Sequence, residues 1–104
     1  MITLRQKTID LASVTEADKK IKTIGGNSLS IQVDGNVELE LKGKHSDFNS
    51  NASYKLGILN LSTLEKVDKI TGSGLYMVVI EGIDEIILNI TGSTGLVHLK
   101  ELGD

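Results

Sequence analysis

The side chains with the chemistry to bind or react are two histidines, an Asp/Asn-rich run and a few glycine turns. His45 and His98 lie in different segments, neither with a second ligand at metal spacing, and the chain has no cysteine to add a thiolate. His98 alternates with Val97 and Leu99, which places it on the outer face of a strand, where a solvated ring outweighs a metal or acid–base role. Asp47-Phe-Asn-Ser-Asn51 imitates the start of a calcium loop, but Ala52 stands where the loop needs glycine and Ile58 where it needs a bidentate Glu. Gly25-Gly-Asn-Ser28 lacks the lysine and following helix of a phosphate loop, and Gly72-Ser-Gly74 leads into a strand. Asp84 and Glu85 are adjacent, so in a strand they point to opposite faces and form no catalytic pair. No Gly-x-Ser-x-Gly elbow exposes a serine. The sequons at Asn51, Asn60 and Asn89 mean nothing without a secretory route. The residues name no catalytic group, no metal and no cofactor, and they point to a non-enzymatic domain.

The elements that would position these residues are strands. From Gly74 to Leu102 three short apolar runs, Leu75 to Ile80, Ile86 to Ile90 and Leu96 to Leu102, are separated by glycine-bearing turns. Earlier, Leu29, Ile31 and Val33 alternate with polar residues, Asp34-Gly35-Asn36 turns the chain, and Val37, Leu39 and Leu41 alternate again. Alternation on both sides of an Asp-Gly turn predicts a β-hairpin. Gly43 to Ser53 reads as a surface loop. Tyr54 to Leu61 reads as one strand with a bulge at Gly57, and Leu64, Val67 and Ile70 as a weaker one. The expected fold is all-β: a two-sheet antiparallel β-sandwich with jelly-roll-like connections and about eight strands. Its core should be Leu29/Ile31/Val33, Val37/Leu39/Leu41, Tyr76/Val78/Ile80 and Ile86/Leu88/Ile90.

Residues 1–104 are expected to form a single domain. Residues 1–24 have the weakest periodicity and read as an arm plus a first edge strand, with Ile2, Leu4, Ile9 and Leu11 as anchoring candidates. Thr15 and Asp18 loosely match a capping box, so a helical turn at about Glu16 to Ile21 competes with a strand from about Lys20 to Ile24; sparse apolar positions favour the strand or an irregular arm. The net charge of −3 gives no overall attraction to nucleic acid or an anionic membrane. No run is long enough for a spanning helix and no signal peptide is visible, so synthesis in a cytoplasm is expected.

Taken together, the hairpin SLSIQVDGNVELELKG, the strand Tyr54-Lys-Leu-Gly-Ile-Leu-Asn-Leu61, Ile70-Thr, Gly74-Leu-Tyr76 with alternating Val, a Gly-Ile-Asp turn and Gly95-Leu-Val-His-Leu99 resemble a known group. They are similar to the small jelly-roll-like β-sandwich accessory proteins of tailed-phage virions, of the head-decoration or fibre-base type. The resemblance spans about Ser28 to Leu102 and implies a virion protein that decorates or reinforces a capsid or tail by binding the major capsid or tail protein. One departure concerns the outward positions, polar in such proteins, where this chain has Leu75, Met77, Val79 and Ile87. With Tyr76, Val78 and Ile80 facing in, these four should form an apolar surface through which a dimer or trimer assembles. The alternative cover is the chain's own N-terminal arm, through Ile9 and Leu11. A carbohydrate- or receptor-binding module using the Gly43 to Ser53 loop, with Phe48 at its centre, is the second reading. An adhesin or secretion-assembly subunit is the third.

Overall fold

The computed structural model describes residues 1–45 and 51–104, so Phe48 and the middle of the Gly43 to Ser53 loop lie outside the described residues. Strands account for 58% of it, against a single 3₁₀ turn at Ala17–Lys19. They are β1 (Ile2–Asp10), β2 (Lys20–Lys22), β3 (Ser28–Asp34), β4 (Glu38–Lys44), β5 (Tyr54–Lys55), β6 (Ile58–Asn60), β7 (Glu65–Val67), β8 (Ile70–Thr71), β9 (Gly74–Val79), β10 (Glu85–Thr91) and β11 (Leu96–Gly103). One sheet has the order β1-β11-β3-β9-β6-β7. The other runs β2-β10-β4-β5, with β8 also on β4.

This is a jelly roll with one excursion. Setting β6 and β7 aside, the chain places β1, β3, β9 and β11 in one sheet and β2, β4, β10 and the pair β5/β8 in the other. Eight strand positions therefore hold nine strands, and β6 and β7 bring the total among the described residues to eleven, where about eight were expected. The edge beside β4 is filled twice, by β5 at Lys42–Gly43 and by β8 at Glu38–Leu39. Between those visits the chain crosses over to build the β6–β7 hairpin beside β9.

Alternation fixes which side of each strand enters the core. Leu29, Ile31 and Val33, Tyr76, Val78 and Ile80, and Val97 and Leu99 from one sheet meet Leu39 and Leu41, Ile86 and Leu88, and Ile21 and Ile70 from the other, all buried. Ile90 packs half-buried against them. The expected core sets are present, Ile90 only half-buried, and the core adds Ile9, Leu11, Ile21, Ile58, Ile70, Val97 and Leu99, which those sets did not include.

Pairing differs from expectation in three places. The Asp34-Gly35-Asn36 turn forms, but β3 and β4 belong to different sheets and make no hairpin. Two alternating strands bury their apolar sides equally well across a core as beside each other, so alternation does not distinguish the two. Here Gly35 N–H donates to Ser73 Oγ at 2.9 Å, and a Cβ on Gly35 would lie 3.0 Å from Gly95 Cα, so the turn is seated among the other turns at that end. The Tyr54 to Leu61 strand splits at Leu56–Gly57, where the chain changes sheets instead of bulging. The Leu64 to Ile70 segment likewise divides into β7 and β8.

Residues 1–24 are built in: the expected first edge strand is present as β1, and the arm part of that reading is corrected. β1 pairs along its length with β11, Ile9 and Leu11 are core residues, and β2 is an edge strand with Ile21 buried. The periodicity was weak because the inward positions after Ile9, counting back along the edge, are Lys7 and Arg5; inward charges are a device that keeps an edge strand from pairing with another chain. The Thr15–Asp18 pair also forms, at the 3₁₀ turn that precedes β2, although Glu16, the N-cap residue of that turn, makes no side-chain cap bond. Thr15 N–H and its hydroxyl donate to Asp18 Oδ2 at 3.0 and 3.1 Å, and Asp18 N–H returns a bond to Thr15 Oγ1 at 3.3 Å. Those bonds, the backbone one first, hold the Asp18 carboxyl below its ordinary range. A depressed carboxylate stabilises the fold above its unfolded pKa and loses that contribution as pH falls through the folded one.

One inward position of β11 is not apolar. Glu101 continues the set Val97, Leu99 and is only 2% exposed. Its Oε2 accepts from Ile24 N–H at 2.8 Å and Gly26 N–H at 2.9 Å. Its Oε1 faces Arg5 Nε at 3.2 Å, a charge contact without hydrogen-bond geometry. Arg5 also donates through Nη2 to the carbonyl of Lys22. The carboxylate thereby ties β1 and β11 of one sheet to β2 and the crossover of the other. Gly26 is required for the approach, since a Cβ there would lie 2.5 Å from Glu101 Cγ. Replacing Glu101 by Ala strands two backbone donors and a guanidinium and should destabilise the domain by about 3 kcal/mol. Arg5→Ala should cost less, because Arg5 is partly solvated and the backbone bonds remain. Urea unfolding measures both; a Glu101→Ala loss no larger than a typical surface change, about 0.5 kcal/mol, would contradict the clasp.

Candidate protein-interaction surface

The outer face of the six-stranded sheet has a polar half and an apolar half. On the polar side, β1, β11 and β3 bring together Thr8, His98 and Asp34. Thr8 Oγ1 lies 3.0 Å from His98 Nδ1, and His98 Nε2 lies 3.0 Å from Asp34 Oδ2, which Gln32 also approaches. A hydroxyl, an imidazole and a carboxylate in line are the components of a nucleophilic triad. Here they lie on an open strand face: Thr8 is exposed and Asp34 is about half exposed. The arrangement reads as a cross-strand polar ladder. His98 stands on the outer face of the last strand, as its alternation predicts. His45, near Asp84 at 3.7 Å, lies at the end of the other sheet, so the two histidines share no site. No group of three potential ligands gathers among the described residues.

The apolar half belongs to β9. Leu75, Met77 and Val79 face outward opposite Gln32, Ser30 and Ser28 of β3. Val79 is 70% exposed and Leu75 46%, with Met77 half-buried. Neither the N-terminal segment nor any other described element covers them, because Ile9 and Leu11 are in the core. The β6–β7 hairpin widens this strip instead: Leu59 stands opposite Met77, with Lys66 beyond it. Leu56, Gly57, Ile58, Leu59, Lys66, Met77 and Val79 line a groove of about 360 Å³. At the hairpin tip Leu64 is 74% exposed and adopts φ +60°, a left-handed conformation costly for a branched side chain.

Ile87 does not join this surface. β10 lies in the other sheet, so Ile87 faces outward on the opposite side of the sandwich, between Lys20 and Lys42. Treating consecutive strands as neighbours misplaced it; in a jelly roll consecutive strands change sheets. Of the anchoring candidates, Ile9 and Leu11 are unavailable, Leu4 packs half-buried near Gly103, and Ile2 remains 57% exposed at the end of β1. Sequence reasoning missed Leu59 and Lys66 because the change of sheet at Gly57 reversed their facing. It also missed Glu101, whose signal, a carboxylate at an inward position of an alternating strand, was present.

No protein-family model matches the sequence, and no curated protein matches it by sequence. Two solved structures share the fold. The SPBc2 prophage-derived protein YomS superposes with a TM-score of 0.64 over 96% of both chains at 12% identity. The PBSX exported protein XepA gives 0.64 at 18% identity over 91% of this chain but 38% of its own, so the chain spans well under half the length of XepA. The likeness is one of fold, and both neighbours are phage-derived. Among the described residues no helix is long and apolar enough to cross a membrane.

If the Thr8–His98–Asp34 row is a ladder and not a catalytic site, His98→Ala should shift stability by about 0.5 kcal/mol or less. No turnover of p-nitrophenyl acetate should depend on His98; a His98-dependent turnover would contradict the non-enzymatic reading.

Proposed function

We propose that the protein is a non-enzymatic structural component of a phage or phage-like particle, which binds the major capsid or tail protein and associates with itself. The observation that carries this reading is the uncovered apolar strip of β9. Leu75, Met77 and Val79 are surplus to the core, and Leu59 extends them into a groove; contiguous apolar surface of this kind marks contact with another protein. The jelly-roll fold shared with two prophage-derived proteins supports the setting. Reinforcement follows from arithmetic: many copies, each weakly held at two places, clamp lattice neighbours through effective concentration. In this reading the protein resides in the virion, with no nucleic acid, membrane lipid or cofactor as partner.

The carbohydrate- or receptor-binding alternative keeps one specific observation. Gly43, Lys44, Ala52, Tyr54, Leu56 and Ile83 help line an apolar cleft of about 340 Å³ at the end of the five-stranded sheet, and Tyr54 on its rim is 73% exposed. A sugar-binding role would need that ring as its platform.

Light scattering across a dilution series tests self-association. The wild-type protein should form a dimer or trimer at micromolar concentration, and Met77→Lys with Val79→Lys should give a folded monomer. A wild type that stays monomeric at high concentration, or a double variant that still assembles, would refute the β9 interface.

A further inference from the structure

The outer face of the five-stranded sheet concentrates cations in a chain whose net charge is −3. Register places Lys20, Ile87, Lys42 and Lys55 side by side in one row across β2, β10, β4 and β5. The next row is Lys22, Glu85 and Lys44. These rows hold five of the chain's eleven lysine and arginine side chains. Their carboxylates are Glu85 and, one row further along β4, Glu40, which lies 3.8 Å from Lys55. Lys42 and Lys55 stand directly opposite each other, an arrangement that costs stability because adjacent strands are only about 4.8 Å apart. The fold gains nothing from that repulsion; carboxylates arriving from outside would relieve it.

We propose that this face docks an acidic polypeptide surface, with Lys20, Lys42, Lys55, Lys22 and Lys44 contacting carboxylates around the half-buried side chain of Ile87. The inference rests on reading the protein as a particle-binding component and names the chemistry of its partner. It leaves the opposite face, with β9, free for self-association. Three features favour a polypeptide over a phosphate polymer or an anionic bilayer. Glu85 sits at the centre of the second row and Glu40 borders the first row on its other side, so a continuous layer of phosphates would be forced against carboxylates, whereas a folded partner can space its acids around them. The rows carry no arginine for bidentate phosphate contacts and no aromatic ring for stacking bases. An aliphatic centre within a charged rim is also the anatomy of a protein–protein contact.

The test uses the full chain and labelled poly-L-glutamate, followed by fluorescence anisotropy. The wild-type protein should bind at low ionic strength and weaken steeply as salt is added. Lys42→Glu with Lys55→Glu should weaken binding about tenfold or more, and Lys42→Gln with Lys55→Gln by less. Lys100→Glu, placed in the other sheet, should change it little. Circular dichroism confirms that each variant is folded. Equal binding by the Lys42/Lys55 variants overturns the site; tighter binding to inorganic polyphosphate or phosphatidylglycerol vesicles than to polyglutamate overturns the choice of partner. Because this binding is read on the isolated protein, it can fail while the protein is still found on particles, or hold while it is not, so the two readings fall separately.

Discussion

A single buried carboxylate closes the open side of the sandwich. Two sheets packed face to face leave long edges, and at one of them β1 and β2 face each other across the gap between sheets. Glu101 fills that gap from an inward position of β11, bonded to the backbone at Ile24 and Gly26 and facing Arg5, which reaches the carbonyl of Lys22. A buried charge is tolerated only when its hydrogen bonds and counter-charge are supplied. That requirement dictates a glycine at Gly26, positions the Gly25–Gly26 crossover, and gives the otherwise sparse first strand its reason to carry an arginine. The jelly-roll order then follows around a core that every long strand enters from one side.

Closing the core in this way leaves two outer faces of different character. One sheet turns Leu75, Met77, Val79 and Leu59 outward beside a polar ladder; the other turns out rows of lysine. Neither face is needed for the interior, and each carries a cost to an isolated molecule: exposed apolar area on one, like-charge repulsion on the other. These are the two faces on which the proposed contacts would form, while the Thr8–His98–Asp34 row lies open on a strand face.

Much of this was legible in the residues. Alternation identified the core of the long strands, the all-β class and the outward position of Leu75, Met77 and Val79. What alternation does not carry is the identity of a strand's neighbours. Asp34-Gly35 therefore read as a hairpin when it joins strands facing each other across the core, and Ile87 was assigned to the wrong surface. The segment around Gly57 was opaque because its apolar residues, Leu56, Ile58, Leu59 and Leu61, serve two sheets in succession and change phase between them. The arm was misjudged because Arg5 and Lys7 occupy inward positions. Net charge was the least informative quantity: an overall −3 hides the clustering of Lys20, Lys22, Lys42, Lys44 and Lys55, which only register brings together.

The central claim is residence in a particle, and quantitative mass spectrometry of purified phage particles from the host that carries the gene tests it most directly. The account predicts that the protein co-purifies at a fixed ratio to the major capsid or tail protein through successive gradient steps. Particles that lack it, while the particle-free lysate contains it in quantity, would contradict the account.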